Sequence, residues 1–360
     1  MNAAFFYGPN EIKLGEIKLD KDSGQEDDAQ VLKVLSCSVC SYDVRTFRNG
    51  SFKVKTPIIL GHEICAKTIH DYSSHNFSIK SNTRVCVYPI IPCFDCWYCQ
   101  HTRYNLCQNL REIGSTVNGG FAEFIKVPNK VFEIGGIVPV LDNITKEEAS
   151  LIEPLACCIN GISQVRSMLF ESVIIIGDGP IGLMQLMLLK KYFSDVKITV
   201  IGKIKHRLEK AHKLGADEVV FFKQENNNLE RYKSLKHTNG KISPNLIMVS
   251  NNSLNSLPLA FYLANKNGNI VIFSGIKNPL SQASPLLIDI DPNLIHYNQI
   301  SVFGSFSSNP ENLLEAMNLI NTGEINIKEL ITTTHPLSEI IKAFEMSESY
   351  TGFKSVINRF

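Results

Sequence analysis

No stretch of this 360-residue chain approaches the roughly 20 consecutive apolar residues that span a bilayer. A membrane partner is therefore not expected. An excess of charge is missing too. The 36 Lys and Arg residues nearly cancel the 35 Asp and Glu, leaving a formal net charge of +1, which argues against a phosphate-tracking surface and so against nucleic acid as a partner. The first residues, Met1-Asn2-Ala3-Ala4-Phe5-Phe6-Tyr7-Gly8, have neither a basic segment nor a long apolar core, so no secretory signal is expected. The ten cysteines then read as reduced thiols or metal ligands, not as a disulfide framework. Internal repeats and a low-complexity tail are also absent. What remains is a chain with 44% hydrophobic and 20% charged residues, an ordinary globular composition that can bury a large core. Its length fits two domains, or one domain split by an insertion.

Leu60-Gly61-His62-Glu63 sets an imidazole beside a carboxylate. Cys40-Ser41-Tyr42-Asp43 lies upstream, just past the apolar strand expected at 31–35. Glu153-Pro154-Leu155-Ala156 lies downstream, where Pro154 should break the helix expected from Lys146 to Gly161, with Thr145 as its N-cap. Thiolate, imidazole and carboxylate are the donor set of a catalytic zinc. Each has a blander reading alone: Cys40 a buried thiol, His62 a core histidine, Glu153 a surface acid. A more specific pattern is Cys93-x2-Cys96-x2-Cys99-x7-Cys107, four thiols within fifteen residues (93–107). At that spacing they can close a tetrahedron. A four-thiolate shell leaves no open coordination position, so this metal is expected to be structural. An iron–sulfur cluster is the competing reading.

From residue 172 the pattern changes to alternating strand and helix. Apolar runs at 172–176, 197–202, 218–221, 245–250, 269–274 and 300–304 predict a doubly wound parallel sheet of six strands. The polar stretch from Gln224 to Lys241 reads as a helix flanked by loops. The first strand enters Gly177-Asp178-Gly179-Pro180-Ile181-Gly182 and then a helix, the context a dinucleotide-binding fingerprint requires. Gly177 makes the tight turn, Gly179 lets the backbone approach a pyrophosphate, and Gly182 permits close helix–sheet packing. Pro180 and Ile181 open the helix. The second strand ends at Gly202, where an NAD site would place an acid. Lys203, Lys205 and Arg207 follow, so the reading favours NADP(H) over NAD.

Taken together these motifs resemble the zinc-dependent medium-chain dehydrogenase/reductases of the alcohol dehydrogenase superfamily. The nearest branch is that of sorbitol (polyol) and threonine dehydrogenases. The resemblance covers nearly the whole chain and also takes in Gly119-Gly120-Phe121-Ala122-Glu123. It implies an α/β architecture: a GroES-like, mostly-β catalytic domain interrupted by a Rossmann domain. The expected bounds are 1–155, 156–304 and 305–360, with the four-cysteine lobe inside the first. It implies one catalytic zinc on Cys40, His62 and Glu63, with Glu153 as a fourth ligand or holding the metal water, and one structural zinc on Cys93, Cys96, Cys99 and Cys107. Asp43 would accept from the free ring nitrogen of His62. Catalytic roles thus fall on Tyr42, Asp43 and Glu63. Two departures stand out. Tyr42 replaces the usual Ser or Thr of the proton path, and Ser41 stands where glycine is common. The resemblance further implies a homodimer or homotetramer, cytoplasmic residence, and hydride transfer between a nicotinamide cofactor and an alcohol, polyol or matching ketone in a cleft between the domains. Arg45 and Arg48, just past the Cys40 loop, read as surface cations more readily than as phosphate ligands. Three other readings compete: a zinc-free quinone or enoyl reductase of the same superfamily, a zinc-ribbon module on nucleic acid, and a non-catalytic structural homologue.

Overall fold

The computed structural model describes residues 1–17, 28–75, 77–222, 245–276 and 286–360. The chain forms two compact units. The first comprises Met1–Ala156 and Ser307–Phe360, and the second is Cys157–Phe306. The segment expected as a helix at 224–241 lies outside the described residues.

The first unit is built on a seven-stranded sheet. Along it run Ile137–Pro139, Arg84–Val87, Glu63–Thr68, Ala29–Ser38, Lys354–Arg359 and Ile331–Pro336, and Phe124–Pro128 also pairs with Ala29–Ser38. The central strand, Ala29–Ser38, carries apolar residues into the core at Leu32, Val34 and Cys37. Its register does the positioning that matters. Ser38 lies opposite Glu63, and Val356 pairs with Ser38 from the other side. The C-terminal strand therefore brings Lys354 beside residues 291 positions earlier in sequence. The expected helix between 146 and 161 is divided: Lys146–Ala149 is one helix and Ile152–Ser163 another. Thr145 caps the first by accepting from the Glu148 N–H. Pro154 falls in the first turn of the second, where its missing N–H costs nothing.

The second unit is a six-stranded parallel sheet. In sequence order its strands are Ser172–Ile176, Lys197–Gly202, Glu218–Phe221, Leu246–Val249, Asn269–Ile272 and Ser301–Gly304; in space they run third, second, first, fourth, fifth, sixth. This is the doubly wound order expected of a Rossmann sheet. Ile174, Ile176, Ile201, Ile247, Val249 and Ile270 are buried in one core cluster. Strands covered on both faces need such uninterrupted apolar runs. The sixth strand is the edge, and Ser301, Val302 and Gly304 on it are exposed.

Candidate metal centre and nucleotide-binding turn

Cys40 leaves the central strand and becomes the N-cap of the helix Ser41–Asn49. Its sulfur accepts from the Tyr42 N–H at 3.5 Å, and the Asp43 carboxylate accepts from the Cys40 N–H at 2.9 Å. This capping box fixes the Cys40 loop. Glu63 opens the neighbouring strand, and His62 comes directly before it. Gly61 before them has φ +94°, and a Cβ there would lie 2.8 Å from the Cys37 sulfur. Only glycine fits that approach.

One donor atom each from Cys40, His62 and Glu63 lie within 4.8 Å of one another. Modest side-chain adjustment would set all three about 2.0–2.3 Å from one zinc ion. Asp43 is fully buried, and its Oδ1 stands 3.6 Å from His62 Nδ1 with no hydrogen-bond partner of its own. That separation is longer than a hydrogen bond. It leaves the carboxylate facing Nδ1, so Nε2 is the ring nitrogen available to a metal. Burial alone lowers the His62 pKa, but Asp43 and then Cys40 override it and hold it well above the usual value. Such a negative cluster favours a cation in its midst.

Glu63 is not a free carboxylate. Lys354, 5% exposed, donates to Glu63 Oε1 at 2.7 Å and Oε2 at 2.5 Å, and to the Val39 carbonyl at 3.0 Å. The Ser38 hydroxyl donates to the same Oε2. Glu153 is 5% exposed at the start of its helix and lies outside the 4.8 Å group, though its charge reaches Lys354. The Tyr42 phenol meets the Ser115 hydroxyl at 2.8 Å and that of Ser51 at 3.5 Å. Its ring stands edge-on to His62, with centroids 6.0 Å apart. Sequence reasoning missed Lys354 and Ser115. No local pattern marks either, since both are defined by partners far away in the chain. Arg48 is held by Glu348 at 2.8 Å and donates to Asn10, which suits a surface cation.

Cys93, Cys96, Cys99 and Cys107 also converge within 4.8 Å. Cys93 and Cys99 sulfurs are 3.9 Å apart, and those of Cys96 and Cys107 4.0 Å. A tetrahedron with zinc–sulfur arms of about 2.3 Å has edges of about 3.8 Å. Thiolates on a four-iron cluster each bind a different iron and cannot lie so close, so the spacing fits a single ion. Backbone N–H groups, that of Gln108 first, bring the Cys96 thiol down to about 6, while burial pushes Cys99 up to about 12.

On the second unit, Gly177 has φ +142°, and a Cβ on Gly182 would collide with the Gly177 carbonyl. Gly179 is the N-cap of the helix Pro180–Tyr192, which has no side-chain cap. A Cβ on Gly179 would meet nothing within 4 Å. Open space over a bare helix N-terminus is what a pyrophosphate requires. Past Gly202, Lys203 lies over the Phe222 ring at 5.1 Å and Lys205 over Phe221 at 5.8 Å. Arg207 is 4% exposed. Asp178 accepts from the Lys203 and Ile204 N–H groups, both at 2.8 Å.

A mostly-β unit carrying a Cys–His–Glu cluster and a Rossmann unit carrying a glycine turn define a nucleotide-dependent oxidoreductase class. Comparison with known proteins makes this specific. Residues 26–135 match the family model described as alcohol dehydrogenase GroES-like domain, and residues 180–322 the one described as zinc-binding dehydrogenase. The chain belongs to the zinc-type medium-chain dehydrogenases. It is 29% identical to a D-arabitol-phosphate dehydrogenase of Enterococcus avium over 89% of this chain and 86% of that protein. It is 27% identical to a sorbitol dehydrogenase of Bacillus subtilis, covering 96% and 93%. In fold it is similar to an Escherichia coli CFT073 alcohol dehydrogenase solved with NADH (TM-score 0.85, 24% identity, 99% of each chain). A zinc-binding dehydrogenase of Sinorhizobium meliloti 1021 solved with NADP has the same fold (TM-score 0.82, 24% identity, 99% and 98% covered). No described helix is long and apolar enough to cross a membrane.

Proposed function

We propose that this chain is a zinc-dependent dehydrogenase for secondary alcohols of the polyol type, acting with a nicotinamide dinucleotide. The observation that carries the reading is the convergence of Cys40, His62 and Glu63 beside the buried Asp43. Cys40, His62 and Glu63 would hold the catalytic zinc, and the buried Glu153 nearby would add a further carboxylate to the site. When bound, zinc supplies a Lewis acid that polarises the substrate oxygen and lowers the pKa of its hydroxyl. The dinucleotide supplies the hydride acceptor, while the protein supplies position and electrostatics. Asp43, facing Nδ1, would favour the His62 tautomer that carries its proton there and leaves Nε2 for the metal. The Tyr42 phenol takes the place of a smaller hydroxyl and would relay the alcohol proton, accepting it while its own passes through the half-buried Ser51 hydroxyl to solvent; Ser115 holds the phenol in place. Cys93, Cys96, Cys99 and Cys107 would hold a second zinc, which would order the lobe around residues 93–107.

The names of the relatives support a substrate with neighbouring hydroxyls, free or phosphorylated. A homo-oligomer is supported by the exposed edge strand Ser301–Gly304, flanked by exposed Phe306 and Tyr297, since a strand edge that is unpaired among the described residues can pair with a second copy. Ten free cysteines suit a reducing compartment such as the cytoplasm. The test is a panel of polyols, polyol phosphates and ketones assayed with NAD(H) and NADP(H), with bound zinc counted. Turnover that needs zinc supports the reading. Full activity in zinc-free protein would place the chain with the quinone and enoyl reductases instead, and silence on every substrate with both zincs bound would favour a non-catalytic role.

A further inference from the structure

We propose that Asp178, inside the glycine-rich turn, does the work of the acid missing from the end of the second strand and selects NAD(H) against NADP(H). The inference rests on the nucleotide-site reading above. An NAD-specific Rossmann site places a carboxylate at the end of that strand, where it accepts from the adenosine ribose hydroxyls. Here that position is Gly202. A Cβ built on Gly202 would lie 2.5 Å from Asp178 Cβ and Cγ, so the Asp178 side chain fills the volume that a side chain at 202 would occupy. The carboxylate has been moved one strand over, and glycine at 202 is the consequence.

Asp178 Oδ2 accepts from both the Lys203 and Ile204 N–H groups at 2.8 Å. Two effects follow. The backbone donors that a 2′-phosphate oxygen would use are already taken by an anion. The carboxylate then stands as a like charge toward that phosphate. Asp178 Oδ1 has no hydrogen-bond partner among the described residues and is left to accept from a 2′- or 3′-hydroxyl. The cations that favour NADP on sequence alone are partly committed. Lys203 and Lys205 lean over Phe222 and Phe221, and Arg207 is buried.

The test is direct binding of NADH and NADPH, read by nicotinamide fluorescence, with ADP-ribose and its 2′-phosphate as competitors that report the ribose pocket alone. Wild type should bind NADH and ADP-ribose at least tenfold more tightly than the phosphorylated forms. Asp178→Asn keeps the shape and still accepts from both N–H groups but loses the charge, so the preference should fall severalfold through tighter NADPH binding. The exchange Asp178→Gly with Gly202→Asp returns the acid to its ordinary strand and should restore the preference for NADH. Equal or tighter NADPH binding by wild type, or a preference unmoved in a folded Asp178→Asn protein, overturns the inference while leaving the nucleotide site intact. Failure to bind either nucleotide would overturn that site and this inference with it.

Discussion

Lys354→Met is the substitution that bears hardest on the metal centre. The ammonium is 5% exposed and lies within 2.7 Å of both Glu63 oxygens, which are themselves 1% exposed as a residue. Methionine keeps the length and apolar stem but leaves Glu63 with only the Ser38 hydroxyl. Removing one partner from a buried ion pair costs about 3–5 kcal/mol, because the remaining charge stays desolvated. For a folded unit of this size each kcal/mol moves the midpoint by about 2–4 °C, so a drop of about 6–20 °C is expected in chelator-treated protein. Zinc beside Glu63 partly replaces the missing charge, so the drop should shrink when the metal is restored. Glu63→Gln in the same chain should recover most of the loss by removing the orphaned charge. The sign with pH is fixed as well. Burial lowers the Lys354 pKa, but Glu63, Cys40 and Glu153 together outweigh it and raise the pKa above 10.5. The lysine's contribution is then fully present below about 10.5 and is lost as pH climbs through that raised value. Thermal melts of the single and double variants, with and without zinc, decide the matter. A shift under about 2 °C in the zinc-free single variant, or no recovery in the double, would refute the reasoning.

Three further outcomes are expected. Cys40→Ala or His62→Ala should remove one of two zincs, abolish turnover and leave NADH binding within about twofold, as read by metal analysis and fluorescence titration. Cys99→Ser should lose the other zinc and destabilise the lobe by several kcal/mol, a fraction of the roughly 10–16 kcal/mol that structural zinc contributes in small peptides; limited proteolysis near 93–107 would show it. Gly61→Ala adds a Cβ 2.8 Å from the Cys37 sulfur at φ +94° and should cost about 1–3 kcal/mol with reduced zinc occupancy.

The side chains that converge in the two clusters were legible in the sequence because their chemistry is local. CxxCxxC closes a loop on itself, and His62-Glu63 follows a strand whose apolar residues announce it. The six strands were legible because a sheet buried on both faces needs unbroken apolar runs. What surrounds the ligands was not. Lys354 reaches Glu63 only through the Val356–Ser38 register, a pairing that no window of sequence contains. Ser115 is an ordinary polar residue until the turn after the strand Arg111–Glu112 sets it against Tyr42.

Position 202 shows how, on the proposal for Asp178, a local rule and its neighbouring turn can point to different cofactors. Reading the second strand alone, glycine followed by lysines means no acid and an open phosphate pocket. The adjacent strands pair in parallel, with Ile176 beside Ile201, so the turns after them lie side by side. A carboxylate from the first turn can therefore serve a ligand at the second. Asp178 was in plain view inside the glycine fingerprint, where the middle position is commonly ignored because only the glycines have a fixed task. In a parallel sheet, the residue that answers a ligand at one strand end can be carried by its neighbour, and the companion glycine marks the place it fills.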